Sequence, residues 1–79
     1  MSNYPPRIRQ HNEDNGATVY QLLTAHSNGL PFPQNCMEYK TYATFDNPGD
    51  CVRALVKTGN RKRKIMLGGS YYNRQGNPI

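Results

Sequence analysis

Long apolar runs are missing from this chain of 79 residues. No window approaches the roughly 18 apolar residues of a membrane-spanning helix. No charged-then-apolar leader opens the chain, which makes the cytoplasm the expected location. Carboxylates are scarce: 5 Asp and Glu stand against 10 Lys and Arg, a net charge of +5. Glu13, Asp14, Glu38, Asp46 and Asp50 show no arrangement that acid–base catalysis would demand. Cysteine is scarce too, and a secreted mini-protein of this size usually carries more than Cys36 and Cys51. A Cys36–Cys51 disulfide suits an oxidising compartment; free, partly buried thiols suit a reducing one. There is no Cys-x-x-Cys and no close His pair beside His11 and His26. No metal, no cysteine–histidine nucleophile and no enzyme activity is therefore expected. Gly68-Gly69 is too short for a phosphate loop and no helix follows it, so no cofactor is expected either. The length is enough for one domain with one small core, although hydrophobic residues, at 35%, are few for a globular domain.

What the chain has instead is cations and turns. Arg61-Lys62-Arg63-Lys64 is followed by Ile65-Met66-Leu67, Gly68-Gly69 and Ser70-Tyr71-Tyr72. An apolar run, a two-glycine turn and an aromatic run read as a β-hairpin over 61–73. The turn sets Leu67 opposite Ser70, Met66 opposite Tyr71 and Ile65 opposite Tyr72. Ile65, Leu67 and Tyr72 then share the core face, and Lys64, Met66 and Tyr71 share the other. Four adjacent cations repel one another, so such a block is either solvated or meets an anion, most often a nucleic-acid backbone. The plainer reading is a solvated strand end that discourages edge pairing.

Upstream, Asn47-Pro48-Gly49-Asp50 reads as a helix start: an N-cap, a proline at the first position and a carboxylate in the first turn. Val52, Leu55 and Val56 follow on one face, and Gly59 stands where the helix should stop. A helix over 48–58 is expected; the rival is a strand over 51–57. Val19, Leu22, Leu23 and His26 fall at i, i+3, i+4 and i+7, which predicts a helix over 18–26, with a strand as the alternative. Residues 34–45 suit either. Residues 1–16, with Pro5-Pro6 and Asn15-Gly16, read as a flexible arm carrying Arg7 and Arg9; residues 74–79 read as a tail.

VYQLLTAHSNGL, NPGDCVRALVKTGN and RKRKIMLGGSYYN, in that order, resemble the first helix, recognition helix and wing of a winged helix-turn-helix domain. Small regulators of prophages and other mobile elements share this layout. The resemblance covers Thr18 to Asn73 and implies an α+β fold, a winged-helix-like domain at 17–73 with two to three helices and a C-terminal hairpin. It implies a transcriptional regulator, with the helix in the major groove and the hairpin along the backbone of double-stranded DNA. Arg53, Lys57, Arg61, Lys62, Arg63, Lys64, Tyr71 and Arg74 would touch nucleic acid, and a homodimer would supply enough base contacts. Two other functions fit the same residues. One is a phage-encoded inhibitor of a host nuclease or polymerase, whose basic hairpin covers an acidic or nucleic-acid-binding surface and whose tyrosines suit an interface. The other is a small β-barrel RNA binder, if 51–57 is a strand.

Overall fold

The structure is a computed structural model and describes residues 4–79. Residues 18–24 are rich in β-branched and aromatic side chains (Thr18, Val19, Tyr20, Thr24), and that preference prevails over the helical spacing. Thr18–Ser27 is a strand, β2. It lies at the centre of an antiparallel sheet between Arg7–Asn12 (β1) and Met37–Phe45 (β3), in the order β1-β2-β3. The helix expected over 18–26 is thus corrected to a strand. The spacing misleads because β2 is buried on both faces: Leu22 points to one, Val19 and Leu23 to the other. Three buried positions at i, i+3 and i+4 then imitate a helix.

The remainder follows the local signals more closely. Pro48–Lys57 is the helix α1, with the Asn47 side chain accepting from the Gly49 amide at 2.7 Å. Asp50 stands in its first turn and Lys57 in its last, each at the end where the helix dipole favours it. Gly59 takes a φ of 102° just beyond the C-cap Thr58. Ile65–Leu67 (β4) and Ser70–Tyr72 (β5) pair as Ile65–Tyr72, Met66–Tyr71 and Leu67–Ser70. Gly68 and Gly69 both have positive φ, 61° and 81°, as a tight two-residue turn requires.

One helix and two antiparallel sheets do not make a winged helix-turn-helix domain. The expected two to three helices are corrected to the single helix α1 among the described residues, so no second helix stands before it to form the turn. The barrel alternative required a strand at 51–57, and those residues are helical. The flexible arm is also corrected. Arg7–Asn12 pair with β2 from Arg7–Leu23 to Asn12–Thr18, and the Tyr39 hydroxyl donates to the Pro5 carbonyl at 2.8 Å. The first three residues of that expected arm lie outside the described residues. The tail is tied down as well: Pro78 bridges to Tyr72, and the Ile79 amide donates to the Tyr71 carbonyl.

α1 and the β4–β5 hairpin pack on the same face of the sheet. Leu22, Cys51, Val52, Leu55, Ile65 and Leu67 form the core there, edged by Ile8, Tyr20, Phe45 and Tyr72. Among the described residues no element covers the opposite face. Beyond β1, β2 and β3 continue as a two-stranded arm, Thr24–Ser27 against Met37–Lys40. The arm closes in a loop stapled by Asn28, whose side chain accepts from the Leu30 and Cys36 amides and donates to the Gln34 carbonyl. At its tip Phe32 is 87% exposed. The arm makes the molecule long: the radius of gyration is 14.1 Å, against about 12 Å for a compact chain of this length.

The two cysteines are apart in kind, Cys36 exposed and Cys51 buried, and both are free. Burial pushes the Cys51 thiol from 9.0 up to about 11. Its folded-state pKa is raised, so its contribution to stability is complete below pH 9 and is lost as pH rises towards 11, where the unfolded thiol alone ionises first. Denaturant melts of wild type should therefore lose more stability between pH 9 and 11 than melts of Cys51→Ala; parallel losses would place the thiol in water. Leu55→Ala should cost about 2–5 kcal/mol, as for a large-to-small core change. A melting curve unchanged by that substitution would show the helix face is not core.

Candidate nucleic-acid interface

The hairpin expected over 61–73 is corrected to Ile65–Tyr72: the four cations lie before it, in the loop between α1 and β4, and all four are exposed. Two side chains, Asn60 within the loop and Arg74 beyond β5, hold its backbone at Asn60 and Lys62. The Asn60 side chain accepts from the Lys62 amide at 2.9 Å. The Arg74 guanidinium donates to the Asn60 carbonyl at 2.8 Å and the Lys62 carbonyl at 3.1 Å. Arg74 is thus spent on the loop's own backbone and organises the cations rather than joining them. Its charge still counts in the local field.

A groove of about 600 Å³ runs between this loop and the start of β1. Lys62, Lys64 and Arg7 supply its charge; Ile8, Leu55, Ile65 and Met66 supply apolar wall. Tyr71 lines it too, with the Lys64 ammonium 4.4 Å from its ring centroid. An ammonium over an aromatic face is held without being neutralised, so it remains able to meet an anion. Arg61 and Arg63 do not line the groove and stand in solvent. Among the described residues none of the four loop cations makes an ion pair; the pair found joins Arg53 and Asp50.

That pair changes the standing of the helix. Arg53 is bound to Asp50 one turn back and donates to the Gln75 carbonyl at 3.0 Å. It tethers the tail to α1, with one bond from each terminal nitrogen. Lys57, in the last helical turn, is exposed and unpaired among the described residues. The eight residues singled out from sequence therefore divide. Lys62, Lys64 and Tyr71 meet in the groove, Arg61 and Arg63 stand in solvent on the same loop, Lys57 is exposed at the end of α1, and Arg53 and Arg74 hold backbone.

Charge is segregated along the molecule. Glu13 and Asp14 occupy the β1–β2 turn, and Asp46 and Asp50 the start of α1, beside the Tyr20–Phe45 pairing. Arg7, at the other end of β1, borders the groove that Lys62 and Lys64 line. Glu38 lies beyond Arg7 on the arm, so the excess of cations at this end is a net one; such an excess attracts polyanions and orients them on approach.

The sequence alone presents Arg7 and Arg9 as cargo of a loose arm. β1 instead fixes them: the Arg7 guanidinium lies 4.5 Å from the Tyr39 ring centroid, and Arg9 Nε donates to Gln21 Oε1 at 2.8 Å. The alternation Arg7-x-Arg9-x-His11 was the available signal, a period-two pattern that places all three on one face of a strand.

No helix among the described residues is long and apolar enough to cross a membrane. No protein-family model matches the chain, and no curated protein or solved structure matches it.

Proposed function

We propose that this is a small cytoplasmic nucleic-acid-binding protein, acting on double-stranded DNA as a regulator, that grips phosphates with Arg61–Lys64. One observation carries the reading: four exposed cations, without an ion pair among the described residues, sit on a backbone that Asn60 and Arg74 hold in place. A merely solvated basic segment has no need of such support. Ordering these groups before binding lowers the entropy lost on binding. Lys64 over Tyr71 extends the grip to an aromatic surface on which sugar or base can rest.

A second reading draws on a different observation. From Ser27 to Met37 the arm has no charged residue, and its tip offers Leu30 and Phe32 to solvent. Interfaces with proteins are depleted of charge and enriched in such aromatic anchors, so an inhibitor that docks on a host nuclease or polymerase is the competing function.

Replacing Arg61, Lys62, Arg63 and Lys64 together with alanine should leave the melting temperature nearly unchanged, because all four side chains are exposed. It should remove most affinity for duplex DNA. The slope of log affinity against log salt should flatten by roughly 0.9 for each phosphate no longer neutralised, up to about 3.6 in all. Anisotropy titrations at several salt concentrations measure this. Phe32→Ala should leave those titrations unchanged. A wild-type protein with no salt-dependent binding would reject the nucleic-acid reading in favour of the inhibitor.

A further inference from the structure

We infer that the open face of the three-stranded sheet enters the major groove of duplex DNA, with Arg9 reading a base edge. This rests on the nucleic-acid reading and adds to the loop a second surface that meets it at Arg7.

Cross-strand partners in an antiparallel sheet project to the same side. Ile8 opposite Leu22 opposite Ala43 marks the face that packs on α1. The alternate positions make the other face: Arg7, Arg9 and His11 on β1, half-buried Gln21 between buried Val19 and Leu23 on β2, and Tyr39, Thr41 and Thr44 on β3. Arg7, Arg9, His11 and Thr41 are exposed. The three strands contain a single carboxylate, Glu38; it lies opposite His26 out on the arm, in register with the covered face. The open face is therefore cationic and acid-free, the complement of a polyanion.

The side-chain arrangement favours bases over phosphate alone. Gln21 Oε1 accepts a hydrogen bond from Arg9 Nε–H, which orients the guanidinium and leaves both terminal nitrogens without a partner among the described residues. Two parallel donors held at a fixed angle match the O6 and N7 acceptors of guanine in the major groove. Arg7, stacked on Tyr39, stands two residues away on the same strand, about 6.8 Å, near two base-pair steps. Two strands roughly 4.8 Å apart fit a groove about 12 Å wide. The major groove of duplex RNA is too deep and narrow to admit them. Arg7 also lines the groove shared with Lys62 and Lys64. The sheet face and the cationic loop are thus continuous, and the loop would meet the phosphates beside the base pairs that Arg9 reads.

The probe is a library of random-sequence 20-base-pair DNA duplexes, enriched by repeated capture on the wild-type protein. Wild type should enrich a short motif containing guanine. Arg9→Lys keeps the charge but loses the fork and the Gln21 contact, and circular dichroism should show it folded. It should bind the enriched duplex roughly 5- to 150-fold more weakly, the equivalent of about 1–3 kcal/mol. Its affinity for an unselected duplex should change less than twofold, and its salt slope should not change. Equal affinity of Arg9→Lys and wild type for the enriched duplex overturns the inference. So does enrichment of no motif, or tighter wild-type binding to duplex RNA or single strands; in these cases the alanine variant of the loop would still lose binding, and the phosphate grip would stand without the sheet. Absence of all salt-dependent binding by wild type removes both.

Discussion

Leu22 is the point on which this fold turns. It sits mid-way along the central strand, 2% exposed. Cys51, Val52 and Leu55 from the helix and Ile65 and Leu67 from the hairpin form one cluster with it. A chain with 35% hydrophobic residues can cover one face of a sheet and little more. At roughly 25 cal/mol per Å² of buried apolar surface, so small a core leaves a narrow margin over chain entropy. Caps, turns and backbone clamps therefore matter more here than in a larger domain.

The one-sided core has two consequences for the surface. It leaves the far side of the sheet without a covering layer among the described residues, although Val19 and Leu23 on that side are buried within the sheet. It also sends the chain from the end of α1 back across the core to β4 through the loop that carries Arg61–Lys64. The same packing that buries Leu55 and Ile65 thus sets Lys62 and Lys64 along a groove that Arg7 borders. Function, in this account, is placed by the fold's limits: one face is used up in stability and the remaining surface is free to be charged.

Local chemistry was legible in the sequence wherever a short segment determines its own backbone. Asn47-Pro48 and Gly59 mark the helix ends, and Gly68-Gly69 fixes the pairing of Ile65 with Tyr72. The three-stranded sheet was not legible. Its central strand has buried residues on both faces, which destroys the alternation a strand normally displays. Its edge strand, Arg7–Asn12, has only Ile8 to contribute to the core, so its polarity imitates a loose arm. Tyr42 is passed over by the register shift opposite Leu22 and Leu23, which blurs the period of β3 as well. The basic loop was found by its charge, but the parts played by Arg53 and Arg74 depended on carbonyls contributed by Gln75, Asn60 and Lys62. Such partners are invisible until the chain is folded.

The central claim is that a single continuous surface, the Arg61–Lys64 loop with its groove and the open sheet face beyond Arg7, receives nucleic acid. Amide chemical-shift mapping during titration with a duplex DNA tests it most directly. The account predicts the largest shifts at Arg7–His11, Gln21, Tyr39, Arg61–Lys64 and Tyr71, with Glu13, Asp14 and the Leu30–Phe32 tip unmoved. Shifts centred on Leu30–Phe32, or on Asp50 and the acidic end, would contradict it.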